Sequence, residues 1–349
     1  MNHKKALITL FIGVAFLAIA VALYFISKTE SVDQKPVNTY IHNEGETQGT
    51  TYSATYQQPD GLNLQDKIEA KLHEFDLSLS SYIPNSIISR INKNDTTVRT
   101  DLFFETMFFA AQDAAKHTNG AIDITVGPLV KAWGFAFGNN SHSKFPIVSE
   151  FMPYIGYSKI HIKDHKLIKD DPRIMIDDNS IAQGYSSDVI AQLLKENGCK
   201  NYMIEIGGEV VCSGLNSKGE KWQIGIDKAI DDSTSTINEI QTIIHITNCA
   251  VTTAGDYRKF FIKDGKKYSH IINPHTGYPI DNTMLSATVV APTGIMADAY
   301  DTPFMVIGVD SALKVCKSIP GLECYLIYLD KNGNKQTIYS EGFKKYLSN

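Results

Sequence analysis

The stretch between Thr252 and Gly308 constrains the fold of this chain most, because it combines a rigid loop with a helix that offers metal ligands. If residues 295–302 are helical, Asp298 and Thr302 lie four residues apart on one helical face. A carboxylate and a hydroxyl are hard oxygen ligands, which suit Mg²⁺ or Ca²⁺ better than zinc or copper. The alternative is that Asp298 only complements the positive end of the helix dipole.

A histidine and a turn precede that helix. His270 is followed by two isoleucines and then by Asn273-Pro274, a pattern that predicts a strand ending in a rigid loop. Functional sites usually lie on loops that a rigid scaffold holds in place. From these residues alone, His270 is either part of such a site or a histidine satisfied at the edge of the core.

A series of segments in the chain resembles the motifs of the ApbE family, the FAD:protein FMN transferases. The segments are GTTYS at 49–53, SYIPNSIISRIN at 81–92, AIDITVGPLVKAWGF at 121–135, IAQGYSSD at 181–188, IEIGGEVVCSG at 204–214, TTAGDY at 252–257, SHIINPHTGYP at 269–279 and ADAYDT at 297–302. The resemblance extends from about residue 45 to the C-terminus. Because many motifs follow one another in the family's order, it is far more specific than any single motif.

The resemblance implies both a fold and a reaction. The fold is an α+β body related to the T-fold, with flavin bound in a cleft between lobes. The reaction is the Mg²⁺-dependent transfer of FMN from FAD, the substrate, to a threonine or serine hydroxyl of another protein, with release of AMP. By family analogy the acceptors are flavoprotein subunits of electron-transfer complexes such as ion-pumping quinone reductases. The alternatives are an FAD pyrophosphatase, in which water replaces the acceptor, and a non-catalytic FAD-binding module.

The resemblance also implies the residues of the site. Those that contact the flavin nucleotide are Gln48, Tyr82, Ala121, Ile122, Asp123, Asn179, Tyr185 and Ile272. The Mg²⁺ ligands are Asp298, Thr302 and the backbone carbonyl of Ala182. The acceptor hydroxyl needs a base, and His270 is the candidate because the ordinary pKa of histidine lies near neutrality. Asp298 is the alternative base, although a metal-bound carboxylate is a poor one.

Several positions depart from the family pattern. Gln48 stands where many members have methionine, Gln183 where most have lysine, and Asn273 where many have aspartate. Each of the last two changes removes a charge near the site. Pro303 directly follows Thr302 and predicts a kink or a delay in the helix there.

The N-terminus predicts a membrane anchor. Residues Ala6 to Ile26 form a run of 21 positions without a charge, and His3, Lys4 and Lys5 precede it. Such a run can cross a bilayer as a helix, and the positive-inside rule keeps residues 1–5 cytoplasmic. The alternative is a cleaved signal peptide with its site near 18–22. In both cases the body lies on the periplasmic or extracytoplasmic side of the cytoplasmic membrane, with residues 27–45 as a linker and 46–349 as the catalytic domain.

Composition excludes several classes of function. A net charge of −5 argues against a nucleic-acid surface, and neither GxGxxG nor GxxxxGK[ST] occurs, which argues against Rossmann and P-loop sites. The five cysteines contain no CxxC pair, so a zinc knuckle is excluded and most are expected to be small core residues. Cys316 and Cys324 remain a possible disulfide across Pro320-Gly321.

Periodicity and turn residues predict helices alternating with hairpins, which gives an α+β class. Helices are predicted from about Leu64, over 101–119 and over 186–196, the last entered by a turn at 181–185. Strands are predicted at 121–125, 174–176, 202–206, 209–212 and 221–227, and a hairpin is predicted around Asn332-Gly333. Gly207-Gly208 marks either a close approach to a pyrophosphate or a plain bulge.

Overall fold

A computed structural model describes residues 39–135, 145–231, 239–257 and 259–347. The predicted anchor, Ala6 to Ile26, lies outside these residues, as does the part of the linker before residue 39. Within the described ranges no helix is both long enough and apolar enough to cross a membrane.

An antiparallel sheet of eight strands forms the centre of the molecule, in the order β1-β2-β5-β6-β9-β12-β13-β14. Its strands are β1 (Ile41–Thr47), β2 (Thr50–Tyr56), β5 (Tyr202–Ile206), β6 (Glu209–Ser213), β9 (Cys249–Gly255), β12 (Met284–Ala291), β13 (Glu323–Leu329) and β14 (Lys335–Tyr339). Because β1 begins at Ile41, residues 41–45 belong to the folded body and not to the linker predicted over 27–45.

Three two-stranded hairpins stand beside this sheet: β3 (Ile160–Lys163) with β4 (Lys166–Lys169), β7 (Trp222–Asp227) with β8 (Ile240–Ile246), and β10 (Phe260–Lys263) with β11 (Lys266–Ser269). The helices are α1 (Gln65–Leu79), α2 (Ile87–Asn92), α3 (Leu102–His117), α4 (Gly127–Ala132), α5 (Ala182–Glu196), α6 (Gly294–Ile307) and α7 (Val309–Ser318). Strands joined as hairpins with helices inserted between them confirm the α+β class.

Side-chain alternation along the strands produces two cores. Val211 and Ala250 point to the face that α5 and α6 cover, and α1 and α3 pack against those helices. Their strand neighbours Val210 and Val251 point to the opposite face, which the β7–β8 hairpin and the C-terminal segment cover. The sheet is therefore buried on both faces, and the helical side carries the motif residues on α5 and α6.

Tight turns join the strands of two hairpins in the sheet, β1 to β2 and β5 to β6. Gln48 and Gly49 both have positive φ, 50° and 74°, as a two-residue turn between twisted strands requires. Gly207 and Gly208, with φ of 67° and 108°, form the same kind of connection between β5 and β6. The glycine pair is thus a hairpin turn and not a bulge, while the contact with a pyrophosphate stays a prediction.

Two predicted strands are absent from the described residues. Residues 121–125 form a turn, because the carboxylate of Asp123 accepts hydrogen bonds from the N–H and the hydroxyl of Thr125. Residues 174–176 contribute only an isolated bridge between Met175 and Val126. A short side chain that binds the backbone two residues later favours a turn over a ladder.

Two helix boundaries also differ from the prediction. Helix α5 begins at Ala182, so the predicted entry turn at 181–185 is its first turn. Helix α6 continues to Ile307, four residues beyond Pro303, so the proline does not end it. All five cysteines are buried free thiols, and Cys316 and Cys324 form no disulfide.

Helices α5 and α6 approach each other through glycines. A Cβ at Gly184 would meet the carbonyl group of Gly294 and would lie 2.6 Å from the Cβ of Asp298, so only glycine permits this contact. The carboxylate of Asp188 on α5 accepts hydrogen bonds from the N–H groups of Gly294, at 2.7 Å, and Ile295, at 2.8 Å. A negative group at the N-terminus of α6 stabilises that helix.

Gly184→Ala should therefore destabilise the protein by about 1–3 kcal/mol, the usual cost of overpacking, because backbone atoms cannot move aside. Denaturant unfolding measures the change. Gln192→Ala on the exposed face of the same helix is the control and should be close to neutral. Equal stabilities of the two variants would contradict the close contact.

Candidate active site

A cleft of ≈ 390 Å³ opens at the end of the sheet where the Gln48-Gly49 turn lies. Its walls come from that turn, from α1 and the loop after it, from residues 121–135, from the start of α5, and from the segment around His270. These segments are far apart in the chain, and most of them carry one of the motifs quoted above. The sheet, α5 and α6 hold them in place.

Most of the sequence-predicted site residues line this cleft. They are Gln48, Tyr82, Ala121, Ile122, Asp123, Asn179, Ala182, His270, Ile272 and Thr302. Two do not. Tyr185 is not part of the lining, and its ring packs in the core against Phe103, at 6.2 Å, and against Phe75, at 5.4 Å, which itself lines the cleft. Asp298 lies behind the wall, where one of its carboxylate oxygens accepts a hydrogen bond from the Gly184 N–H at 2.8 Å.

Three carboxylates meet behind the cleft. One oxygen each of Glu209, Asp298 and Asp301 lies within 4.8 Å of the others. Oε2 of Glu209 and Oδ1 of Asp301 are buried and have no hydrogen-bond partner among the described residues. Like charges at this separation repel strongly in a dry environment, so the cluster requires protons or a cation.

The pKa values of the cluster reflect this strain. Burial raises the pKa of Asp298 to about 7. Burial, followed by repulsion from Asp298, raises the pKa values of Glu209 and Asp301 well above their usual range. The cluster therefore holds protons at neutral pH unless a cation replaces them.

The residues around this cluster fit a hard divalent cation. Ala182 and Thr302 line the cleft next to the buried acids, and all the available donors are carboxylate, hydroxyl or carbonyl oxygens. Mg²⁺ and Ca²⁺ prefer this donor set. The orphaned oxygen of Asp301 supports the same interpretation, because an unpaired buried acceptor is costly and a cation would satisfy it.

His270 is held by the backbone. Its Nδ1 lies 3.0 Å from the carbonyl oxygen of Lys259, and because a carbonyl only accepts, Nδ1 carries the proton. The unprotonated Nε2 is therefore available to accept a proton. Burial, and then the Lys259 ammonium, lower the pKa of His270 to about 4, so the ring is neutral at physiological pH. The near-neutral value assumed from the sequence is thus corrected downwards.

Asp123 closes the far wall of the cleft. One of its oxygens binds Thr125, and the other accepts from the N–H of Tyr157 at 2.7 Å. Burial raises its pKa, although these hydrogen bonds oppose the shift. The turn at 121–125 is thereby fixed with the backbone of Ala121 and Ile122 at the cleft surface.

Sequence reasoning missed several acids of the site. Asp301 follows Asp298 by three residues, a helical spacing that the sequence displayed. Glu209 directly follows the glycine turn, and nothing in its spacing links it to α6. Asp178 is buried with one oxygen unpaired, and it lines the cleft together with Asp76 and Asp177. Lys259 is the one lysine or arginine among the described residues of the lining.

Comparisons with known proteins agree with this geometry. The model of the ApbE family matches residues 48–326. The FAD:protein FMN transferase of Haemophilus influenzae is 34% identical over 348 residues, which cover 95% of this chain and 96% of that protein. The FAD:protein FMN transferase of Vibrio cholerae is 36% identical over 327 residues, 90% of this chain and 95% of that protein.

Solved structures show the same fold. The flavin transferase ApbE from Vibrio cholerae superposes with a TM-score of 0.79 at 34% identity, covering 88% of this chain and 99% of that chain. The ApbE protein from Thermotoga maritima gives a TM-score of 0.77 at 26% identity, covering 89% and 100%.

The carboxylate cluster predicts a pH-dependent stability. Because the pKa of Asp298 is raised on folding, its contribution is fully present below about pH 4 and is lost as the pH rises to about 7. Asp298→Asn keeps the acceptor for Gly184 and removes the charge. In EDTA, the variant should therefore gain stability relative to the parent between pH 5 and pH 8, as measured by chemical unfolding.

Excess Mg²⁺ provides the control for this comparison. It should stabilise the parent at pH 8 much more than the variant, because only the parent offers the Asp298 carboxylate in addition to those of Glu209 and Asp301. A difference in stability that does not change with pH would mean that Asp298 does not titrate in this range.

Proposed function

The chain belongs to the ApbE family, and on that premise we propose that it transfers FMN from FAD to a threonine or serine hydroxyl of an acceptor protein. One observation carries the proposal: a single cleft brings together the flavin motifs and a neutral histidine with an unprotonated Nε2, and a cluster of uncompensated carboxylates lies directly behind its wall. Flavin binding alone needs only the first of these features, whereas phosphoryl transfer uses a base and a cation site as well.

The reaction is an exchange at phosphorus. The acceptor hydroxyl oxygen bonds to the FMN phosphorus, the bond from that phosphorus to the bridging oxygen breaks, and AMP leaves with the bridging oxygen. The hydroxyl proton passes to Nε2 of His270. The pKa of His270 is low in the free protein, and the anionic pyrophosphate raises it by stabilising the imidazolium. Since Nδ1 is tied to the Lys259 carbonyl, the ring accepts the proton without rotating.

We assign the metal ligands to Asp298, Thr302 and the Ala182 carbonyl, with Asp301 as a further carboxylate of the centre. Bound Mg²⁺ would polarise the phosphoryl oxygens and neutralise the charge that develops on AMP. The protein's own part is to hold these oxygens together through the contact between Gly184 and Gly294. The flavin nucleotide would contact Gln48, Tyr82, Asp123, Asn179 and the backbone of 121–122, which share the cleft.

Two alternative functions, hydrolysis of FAD and binding of FAD without catalysis, fit the site less well than transfer does. An FAD pyrophosphatase uses water, and a positioned hydroxyl has the advantage of proximity, worth up to roughly 7–11 kcal/mol in ideal intramolecular cases. A non-catalytic FAD-binding module has no use for three buried acids, because they destabilise the cation-free protein. The carboxylate cluster therefore favours an enzyme, and the family's activity favours transfer over hydrolysis.

The proposed acceptors are flavoprotein subunits of electron-transfer complexes, such as ion-pumping quinone reductases. The proposed location is the extracytoplasmic face of the cytoplasmic membrane, with Ala6 to Ile26 as the anchor. This placement rests on the charge-free run and on the lysines that precede it.

Mass spectrometry tests the reaction. With FAD, Mg²⁺ and the purified flavin-carrying subunit of an ion-pumping quinone reductase, the acceptor should gain the mass of one FMN for each AMP released. His270→Ala should slow this transfer by about 10²–10⁴-fold, the usual contribution of a general base. Equal release of free FMN with and without acceptor would instead identify a hydrolase.

Carbonate extraction tests whether residues 6–26 anchor the protein in the membrane. In membrane fractions of the expressing cells, the full chain should resist extraction with carbonate, because a charge-free run of 21 residues that crosses as a helix stays in the bilayer. A mature N-terminus near residue 23 would show signal cleavage and contradict the anchor.

A further inference from the structure

Six aromatic side chains form a continuous series of ring contacts that leads from the cleft to the outer surface, which we call the aromatic rim: Trp133, Phe135, Phe145, Phe261, Tyr268 and Tyr278. Phe135 lines the cleft and lies 6.4 Å from the His270 ring. From Phe135 the path runs to Phe261 at 5.5 Å and on to Tyr268 at 5.1 Å. Trp133 then stacks on Tyr268 at 5.9 Å and meets Tyr278 at 5.7 Å, so the rings connect the base to the outer surface.

The β10–β11 hairpin anchors the rim to the catalytic wall. The hairpin stands outside the eight-stranded sheet, and its two ends, Lys259 and His270, are both cleft residues. They are joined by the backbone hydrogen bond from His270 N–H to the Lys259 carbonyl, at 3.1 Å. Whatever contacts the outer part of the rim is therefore held at a fixed position relative to the imidazole.

The outer part of the rim consists of two exposed rings, Tyr278 and Phe145, packed on the buried Trp133. Trp133 is 3% exposed, and its indole N–H donates to the Gly277 carbonyl at 2.9 Å. Tyr278 and Phe145 pack against Trp133 and remain 52% and 42% exposed. Fixed aromatic rings in an exposed patch are the typical composition of a protein-binding hot spot, because they lose little entropy on binding.

We propose that the aromatic rim is the docking surface for the acceptor protein, and that it receives the chain segment next to the modified hydroxyl. The proposal rests on the proposed function and names where its protein substrate binds. A transferase cleft must admit a protein segment at its mouth, and the rim is continuous with that mouth through Phe135. The matching acceptor segment carries an apolar side chain that packs on Tyr278 and Phe145.

The rim is distinct from the flavin-binding surface. Tyr278 and Phe145 do not line the cleft, whereas most of the residues assigned to flavin binding do. Phe135 belongs to both surfaces and is therefore unsuitable for a test. A substitution at Tyr278 or Phe145 should weaken acceptor binding and leave FAD binding unchanged.

The experiment compares two half-exposed tyrosines. Tyr278→Ala removes a ring from the rim. Tyr339→Ala removes a ring that is 40% exposed on β14, at the edge of the sheet, where it stacks on Tyr325. With the flavin-carrying subunit of an ion-pumping quinone reductase as acceptor, Tyr278→Ala should raise the acceptor KM about tenfold. The dissociation constant for FAD should stay within about twofold, and Tyr339→Ala should match the parent in both.

Phe145→Ala and Tyr278→Phe complete the series. The first should also raise the acceptor KM, and the second, which keeps the ring, should restore most of the affinity. An unchanged acceptor KM in both alanine variants overturns the docking surface while transfer by the parent protein upholds the proposed function. Equal losses of FAD and acceptor binding would place the rim in the flavin site and also overturn it. A parent protein that releases FMN without transferring it would refute the proposed function and the docking surface together.

Discussion

The contact between Gly184 and Gly294 is the constraint on which the catalytic centre depends. It brings the first turn of α5, which carries Ala182, against the first turns of α6, which carry Asp298 and Thr302. Asp188 strengthens the contact from the side by capping α6. A Cβ on either glycine would separate the helices and with them the oxygens that we assign to the metal. Packing and catalysis therefore depend on the same few atoms.

The same packing concentrates negative charge. Three carboxylates share one buried pocket, and Asp76, Asp177 and Asp178 line the cleft nearby. Such an arrangement destabilises the cation-free fold, and binding of the cation that we propose would stabilise it and couple folding to metal binding. The carboxylates therefore repel one another at the site where the proposed reaction requires a positive charge.

The long elements were predicted from local patterns in the sequence, and most of the site residues named through the resemblance to the family line the cleft. The hairpin at Asn332-Gly333, the helix over 101–119 and the order of the motifs were all visible in the chain. Residues 121–125 were mispredicted as a strand because the Asp123 carboxylate binds the backbone N–H of Thr125, which favours a turn. Tyr185 lies on α5 with its ring in the core against Phe75, a position that helix packing decides and local sequence does not. Glu209 reaches the acids of α6 only through the pairing of β6 with β9, a long-range contact that no local spacing encodes.

The hydrogen bond between Nδ1 of His270 and the Lys259 carbonyl determines which substitutions the protein can accept at position 259. In many catalytic sites a carboxylate orients the histidine, so a single substitution elsewhere disables the base. Here the orienting group is part of the main chain, which every amino acid at position 259 supplies. The position can therefore change its side chain, and with it the local charge, without losing the tautomer. A substitution of Lys259 would therefore change the pKa of His270 through the local charge, while the main-chain hydrogen bond would keep the orientation of the imidazole ring.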